Sequence, residues 1–311
     1  MLPFASLVKQ YRVRDVGEKA MAVDRPDEPK SIKSAQRVLD ILDHLGAEPE
    51  DVGFMDLTRT LAIPKSSLHG LLELMTARQY LEFDEKRRRY TLGLRALEIG
   101  RAYHRRHDAL DVAQQEMASL VADVNETTQL ARLVGCQNVY LARVNSSHAL
   151  RLQSETGARL PAHATGVGKA LLSPLADEEL AALFPDEALP VFTPNTWPTL
   201  TALREELART RQRGFAVDNQ EYTQGVFCLA LRVEGFGGAS NTSLSVSVPV
   251  TRASKAALAA ILARLAAASV AISQRVGGTT NPRFLALSSP REAEAQIAAL
   301  AAAPYYDMPF V

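Results

Sequence analysis

The fold of the N-terminal part of this chain is decided by residues 63–77, which read Ile63-Pro64-Lys65-Ser66-Ser67-Leu68-His69-Gly70-Leu71-Leu72-Glu73-Leu74-Met75-Thr76-Ala77. Its large apolar side chains recur at i, i+3, i+4 and i+7, which predicts one buried face of a helix. These are Leu68, Leu71, Leu72 and Met75. Pro64 suits the first turn of such a helix, where a backbone N–H has no partner to lose. The opposite edge then carries small hydroxyls and an imidazole.

A second short amphipathic segment lies immediately upstream, at residues 55–62. Two short helices joined tightly through Ile63 and Pro64 predict a helix-turn-helix, whose second helix enters the major groove of DNA. We therefore expect Lys65, Ser66, Ser67 and His69 to contact DNA, with Arg59 of the first helix near its backbone. Two short helices with a tight turn also occur without any DNA-binding role.

The segments that follow favour the DNA-binding interpretation. Residues 81–84 and 89–92 alternate like two short strands around the basic turn Glu85-Lys86-Arg87-Arg88. A hairpin with a cationic tip after a helix-turn-helix indicates a wing, and Arg87 and Arg88 suit contacts with phosphates. Lys33, on the preceding helix, is a further candidate for the DNA backbone.

Length and composition limit the class of protein. A chain of 311 residues with 47% apolar residues is expected to form two domains with substantial cores. Lysine plus arginine and aspartate plus glutamate each total 35, so any DNA-binding surface must be local. The two distant cysteines, Cys136 and Cys228, indicate neither disulfides nor a metal site. No secretory signal or long apolar span is evident, and a cytoplasmic protein without membrane contact is expected.

The chain is predicted to consist of five segments. Residues 1–30 are expected to be a mobile extension, although a basic arm on DNA is the alternative. Residues 31–93 form the winged helix-turn-helix, with a first helix buried through Ala35, Val38, Leu39, Leu42 and Leu45. Residues 94–125 form a linker helix whose apolar seam pairs with its copy in a dimer or packs on its own domain. The seam consists of Leu110, Ala113, Met117, Leu120 and Val124.

Residues 126–276 alternate with period two and then with helical period, which predicts an antiparallel sheet covered by helices. Strands are expected at 129–134, 138–144, 150–153, 215–217, 227–233 and 243–248. Helices are expected from 169, at 177–184, at 200–213 and at 252–274. Residues 277–311 form a tail that contains either one extra helix, near 291–302, or no ordered structure.

With this order of elements, the sequence resembles the IclR family (isocitrate lyase regulator type) of bacterial transcription regulators, from about residue 31 to residue 276. Five blocks carry the resemblance: IPKSSLH at 63–69, RYTLG at 89–93, LPAHATGVGKALL at 160–172, GFAVD at 214–218 with Glu221, and GVFCLA at 225–230. The resemblance implies an α+β protein with an N-terminal winged helix-turn-helix, a linker helix and a C-terminal GAF-like domain. It also implies a homodimer or a dimer of dimers that represses or activates transcription from a double-stranded DNA operator.

The resemblance further implies that the C-terminal domain binds a small organic effector, through residues carried over by motif. These are Leu152, Leu160, Gly166, Val167, Asp218, Val226, Cys228, Ser245 and Ser247. The family usually has an arginine where this chain has Gly70, so one candidate DNA contact is absent.

The chemistry of these residues favours a small organic acid, with aromatic acids among the candidates. Glycines before a helix leave N–H groups for a carboxylate, although without the resemblance a simple tight turn is the favoured explanation. Ser245 and Ser247 share one face of a strand and supply hydroxyl donors. The alternative function is a hydrolase-like enzyme that uses Cys228, His163 and Asp218, but Cys228 lies within an apolar strand. No catalytic activity, cofactor or metal is expected.

Overall fold

The computed structural model of the protein describes residues 32–48, 50–105, 108–149, 155–235 and 241–304. The chain forms two compact units, Met1–Arg101 and Ala102–Val311. The predicted N-terminal extension, the predicted strand at 150–153 and residue Leu152 lie outside the described residues.

The first unit is a helix-turn-helix followed by a wing. Its helices are α1 (Lys33–Ala47), α2 (Phe54–Leu61), α3 (Lys65–Ala77) and the start of α4 (Leu94–Arg105). Its strands β1 (Val52–Gly53), β2 (Leu81–Asp84) and β3 (Arg89–Leu92) form an antiparallel sheet in the order β1-β3-β2. The two wing strands thus have the predicted bounds, while β1 was not predicted because a two-residue strand has no periodicity.

The core of this unit joins α1, α2, α3 and the wing through buried apolar side chains. They include Ile41, Leu45, Leu57, Ile63, Leu68, Leu72, Met75 and Leu81. Ala62 has a φ of 50° between α2 and α3, which turns the chain tightly before Pro64. The predicted inner face of α1 was partly wrong, since Leu39 is 60% exposed and Ala35 is also exposed, while Ile41 is buried.

The second unit is built on a six-stranded antiparallel sheet. Its strands are β4 (Thr127–Val134), β5 (Gln137–Val144), β6 (Arg159–Pro161), β7 (Ala216–Asn219), β8 (Val226–Val233) and β9 (Thr242–Pro249). They lie in the order β6-β5-β4-β9-β8-β7. The helices are α5 (Asp108–Val124), α6 (Gly166–Leu172), α7 (Asp177–Leu183), α8 (Leu200–Arg213), α9 (Lys255–Arg275), α10 (Pro282–Leu287) and α11 (Pro290–Ala301).

The two faces of this sheet are covered differently. Alternate residues of β9, Leu244, Val246 and Val248, enter a large core with α5 and α9. The apolar seam of α5 is buried in that core through Leu110, Ala113, Met117 and Leu120. Of the two roles that the sequence left open for the seam, packing on its own domain is therefore the observed one. The opposite sheet face meets α6, through Ala131, Tyr140, Val167, Ala170, Ala216 and Ala230.

Helix α9 is long and apolar enough to cross a membrane by length and composition, contrary to the expectation of no long apolar span. In the described part of the chain, 67% of its most apolar window is buried inside the domain. It begins at Lys255 rather than at Arg252, because Ser254 caps it by accepting a hydrogen bond from the N–H of Ala257. We interpret it as a core helix.

The tail after α9 contains two helices rather than one. Both α10 and α11 pack on α9, through Phe284, Leu287, Ala293, Ile297 and Leu300. Each begins with a proline at its first turn, a position that proline favours. The helical alternative for residues 291–302 is therefore the observed one, with an additional short helix before it.

Candidate functional site

The exposed edge of α3 carries the polar residues that the spacing of the sequence predicts. Lys65, Ser66 and His69 are exposed, while Ser67 is half-buried. The imidazole Nδ1 of His69 lies 3.7 Å from a carboxylate oxygen of Glu73, one turn later on the same edge. The two side chains are 73% and 77% exposed. This edge therefore offers polar groups to an external partner rather than to its own domain.

Gly70 lies in the middle of this edge and faces open space. A Cβ atom built at this position meets no atom within 4 Å. Packing therefore does not require glycine here, and a longer side chain fits without a clash.

The wing carries its basic residues at the turn between β2 and β3. Arg87 is exposed and lies 3.8 Å from a carboxylate oxygen of Asp51 and from one of Asp84. The Arg88 guanidinium stacks over the Phe83 ring at 5.4 Å. The charge of Arg87 is thus partly balanced by carboxylates of its own domain, whereas the Arg88 guanidinium is held by stacking on the Phe83 ring.

The two remaining DNA-binding candidates are also at the surface. Lys33 is exposed at the first turn of α1. Arg59 on α2 donates a hydrogen bond of 2.8 Å to Asp56, and its side chain is exposed.

The second unit contains a small cavity between α6 and the sheet, with about 30 Å³ of free space for a water-sized molecule. It is lined by Tyr140, Leu160, Thr165, Gly166, Val167, Asp218, Tyr222, Thr223, Val226, Cys228, Ser245 and Ser247. All the predicted effector residues are among them except Leu152, which lies outside the described residues. The structure brings these residues together, and their binding of an effector stays a prediction.

Strand register explains how the polar residues meet. Cys228 pairs with Ser247 across β8 and β9, and Asp218 pairs with Cys228 across β7 and β8. Ser245 lies opposite Gln129 across β4 and β9. Residues that pair directly across antiparallel strands share a face, so these side chains all point towards α6.

The two serines are already engaged with a neighbouring side chain. The hydroxyls of Ser245 and Ser247 each donate a 3.0 Å hydrogen bond to the Gln129 Oε1. The Cys228 Sγ lies 3.0 Å from the Ser247 Oγ. A ligand oxygen must therefore compete with Gln129 for these hydroxyl hydrogens.

Helix α6 begins at Gly166, three residues earlier than predicted, so both glycines lie inside its first turn. The N–H of Gly168 donates to the Thr165 hydroxyl, which caps the helix. A Cβ on Gly168 would lie 2.1 Å from the Ala162 carbonyl oxygen, so close backbone packing requires this glycine. The prediction of free N–H groups for a carboxylate was therefore wrong at Gly168.

Among the described residues, Asp218 is the one acidic side chain in the lining of the cavity. Its Oδ1 accepts a 2.7 Å hydrogen bond from the N–H of Glu221. Burial raises the pKa of Asp218 to about 6, with the Lys169 ammonium opposing the rise. The carboxyl group thus changes charge near physiological pH.

A largely buried ion network lies behind Asp218. The Lys169 ammonium donates to both carboxylate oxygens of Glu221 and lies 4.0 Å from Glu206. Glu206 in turn accepts hydrogen bonds from Arg209 at 3.1 Å and from Arg213 at 2.6 Å. Burial raises the pKa of Glu221 to about 8, and Lys169 opposes this as well. The network therefore fastens α6, α8 and the end of β7 together.

Sequence reasoning missed four lining residues, Tyr140, Thr165, Tyr222 and Thr223. Thr165 lies within a block that carries the resemblance, and Tyr222 follows Glu221 of another block. Tyr140 lies on the same sheet face as Ala131, but its strand gave no sign of which face meets α6. Closeness in the sequence to the blocks of the resemblance could therefore have identified Thr165 and Tyr222, but not Tyr140.

The hydrolase alternative is not supported by the arrangement of its three residues. The His163 Nε2 lies 2.9 Å from the Pro190 carbonyl oxygen, and the ring packs on Phe184 and Phe192. Burial raises the pKa of the Cys228 thiol far above its ordinary value, so it stays protonated. Among the described residues, no hydrogen bond joins His163 to Cys228.

Comparison with known proteins gives a consistent result. The family model of the bacterial transcriptional regulator IclR C-terminal domain matches residues 101–274, and that of the IclR helix-turn-helix domain matches residues 34–85. The HTH-type transcriptional regulator XynR of Escherichia coli is 32% identical over 246 residues, which are 79% of this chain and 98% of XynR. The HTH-type transcriptional repressor AllR of Escherichia coli is 30% identical over 227 residues, 73% of this chain and 84% of AllR.

Solved structures share the architecture. Thermotoga maritima IclR superposes with a TM-score of 0.65 at 23% identity, covering 79% of this chain and 100% of that one, which shows the fold. An IclR homologue from Microbacterium hydrocarbonoxydans, complexed with 4-hydroxybenzoate, gives a TM-score of 0.69 at 25% identity. That match covers 78% of this chain and 99% of the homologue. With its helix-turn-helix and C-terminal domain both matched, this chain belongs to the IclR family of bacterial transcriptional regulators.

Proposed function

We propose that this regulator represses or activates transcription from an operator that α3 and the wing contact, under the control of a small organic acid bound in the cavity of the second unit. The observation that supports this most directly is the cavity itself, whose lining gathers the described effector residues carried over by motif. It lies in a different compact unit from the helix-turn-helix. Sensing and DNA binding are thereby assigned to separate parts of the chain, 31–93 and 126–276, joined by 94–125.

At the operator, the exposed edge of α3 enters the major groove. Lys65, Ser66, Ser67 and His69 face base edges and nearby phosphates. A second group of residues, Lys33, Arg59, Arg87 and Arg88, contacts the phosphate backbone and sets the register of the protein on the duplex. Because this second group is cationic, affinity depends steeply on salt.

The ligand that we propose has an acidic group and an apolar portion. Leu160, Val167 and Val226 supply an apolar wall, and the hydroxyls of β9 supply polar contacts. The cavity holds only about 30 Å³ of free space, well below the roughly 300–1,000 Å³ of ligand pockets, so a single-ring acid requires side chains of the lining to move apart. The Microbacterium homologue with 4-hydroxybenzoate supports an aromatic acid as the first candidate.

We further propose that the protein acts in the cytoplasm as a homodimer or a dimer of dimers. Helix α4 leaves Leu94, Leu97 and Ile99 exposed, an apolar surface that a second copy can cover. A dimer places two α3 helices on the two halves of a palindromic operator. The ligand binds one dimer arrangement better and so changes the spacing of these helices, and by linkage DNA changes ligand affinity by the same factor.

The ligand-binding proposal is tested by thermal unfolding with 4-hydroxybenzoate and a panel of other small organic acids. We expect concentration-dependent stabilisation by at least one acid. The variant Ser245→Ala/Ser247→Ala should lose it. Ser243→Ala is the matched control, because Ser243 lies on the same strand but donates to the Leu231 carbonyl oxygen outside the cavity lining. Stabilisation by none of the acids contradicts the proposed ligand class.

The regulatory proposal is tested by fluorescence anisotropy with the promoter DNA of the protein's own gene. Affinity should fall steeply with salt, and a stabilising acid should shift it severalfold. An operator affinity that saturating acid leaves unchanged contradicts the switch.

A further inference from the structure

The edge of α3 that faces DNA in the proposed function carries one carboxylate, that of Glu73. The other exposed residues of this edge are Lys65, Ser66, His69, Gly70, Leu74 and Ala77. Glu73 follows Ser66 by seven residues and Gly70 by three, so all three lie on one face of the helix. The carboxylate thus projects from the stripe whose N-terminal part enters the groove first.

The local structure leaves this carboxylate available. Its distance to the His69 Nδ1 is 3.7 Å, longer than a hydrogen bond, so both oxygens retain their accepting capacity. Gly70 adds no side chain between Ser66 and Glu73, and the space above it is open. The edges of DNA bases can therefore approach α3 closely at Gly70, with Glu73 at the side of the contact.

A carboxylate in a DNA groove is unfavourable unless it accepts a hydrogen bond, because phosphates and most base-edge atoms repel it. In the major groove, amino donors are offered by cytosine N4 and adenine N6 only. The adenine amino group lies beside the N7 acceptor, which repels a carboxylate, whereas the cytosine N4 has no acceptor beside it on the same base. Cytosine is therefore the base that a glutamate selects.

We propose that the Glu73 carboxylate accepts a hydrogen bond from the N4 amino group of a cytosine and thereby fixes one C·G base pair in each site that α3 contacts. This rests on the proposed DNA-binding role of the α3 edge. Glu73 thereby supplies base specificity to a helix whose position 70 has no side chain. The same carboxylate rejects guanine and thymine at that position, because both offer acceptors to it.

The experiment is selection of binding sites from a random duplex library by the full-length protein, for the wild type and three variants. The wild type should enrich a motif with one column of cytosine, preferred over other bases by between about fivefold and 150-fold, as is typical for one mismatched base pair. In Glu73→Gln, the preferred base of that column should become adenine, which glutamine reads through N6 and N7. In Glu73→Ala, that column should lose its preference while the other columns persist.

The control variant is Glu178→Gln on α7, which removes the same charge from an exposed position in the other unit. It should leave the whole motif unchanged. Thermal unfolding should show all variants folded, since the Glu73 side chain is 77% exposed and makes no hydrogen bond to any other residue that the structure describes.

Two results overturn the inference in distinguishable ways. If Glu73→Gln and Glu73→Ala enrich the wild-type motif in every column, even with higher overall affinity, Glu73 repels DNA without reading it. If the wild type enriches no sequence, the sequence-specific contact of the α3 edge fails, and the inference fails with it.

Discussion

Removal of the Lys169 ammonium should destabilise the second unit strongly. Lys169 and Glu206 are fully buried and Glu221 is 1% exposed, so none of their charges is solvated by water. Replacement of Lys169 by methionine keeps an unbranched side chain but leaves the Glu221 carboxylate without its main cation. Breaking a buried ion pair by removal of one partner costs about 3–5 kcal/mol. Glu206 keeps Arg209 and Arg213, so we expect a value near the lower limit.

Urea unfolding, followed by a probe in the second unit, measures this loss. With an m-value of about 3 kcal/mol per molar urea for a domain of this size, a cost of about 3 kcal/mol lowers the midpoint by about 1 M. The cost should be smaller at pH 5.5 than at pH 8. With its folded-state pKa raised to about 8, Glu221 is protonated at pH 5.5 and needs no cation, whereas near pH 8 it begins to ionise and depends on the Lys169 ammonium.

The control is the double variant Lys169→Met/Glu221→Leu, which removes both charges. Replacement of a whole buried pair by apolar residues is often neutral or stabilising, so this variant should recover most of the loss. A cost below about 1 kcal/mol for Lys169→Met, or a double variant as unstable as the single one, would refute the reasoning.

Three further predictions concern the cavity, the backbone and the DNA edge. Binding of an organic acid that stabilises the protein, measured by calorimetry, should strengthen as pH falls through about 6, because a protonated Asp218 no longer repels a carboxylate. Asp218→Asn should remove this pH dependence, and an unchanged profile would contradict it. Gly168→Ala should lower the melting temperature, because the added Cβ would lie 2.1 Å from the Ala162 carbonyl oxygen. Gly70→Ala, whose Cβ enters open space, should instead stabilise α3 by about 0.5–1 kcal/mol. Equal effects of the two substitutions on the melting temperature would show that the clash at Gly168 is relieved at little cost. Gly70→Arg should raise operator affinity and steepen the dependence of log K on log salt by about 1, measured by anisotropy, and an unchanged slope would exclude a phosphate contact.

Local sequence determined the helix-turn-helix, the wing strands and α8, whose observed bounds agree closely with the predicted ones. The reason is that hydrophobic period, Pro64 and the turn residues act within a few positions of each other. The five blocks of the resemblance also carried most of the cavity lining, including Leu160, Gly166 and Asp218. Their meeting in one cavity was expected from the family rather than from the pattern of this chain alone.

Tertiary structure decided what depends on residues far apart in the chain. The ammonium of Lys169 finds Glu221, 52 positions later, because α6 lies on the sheet beside the end of β7. Nor could a heptad-like seam reveal whether α5 faces a second copy or its own domain, since both partners offer the same apolar surface. The α10 and α11 helices were equally undecided, because an amphipathic tail folds only where a face such as that of α9 is present to bury it.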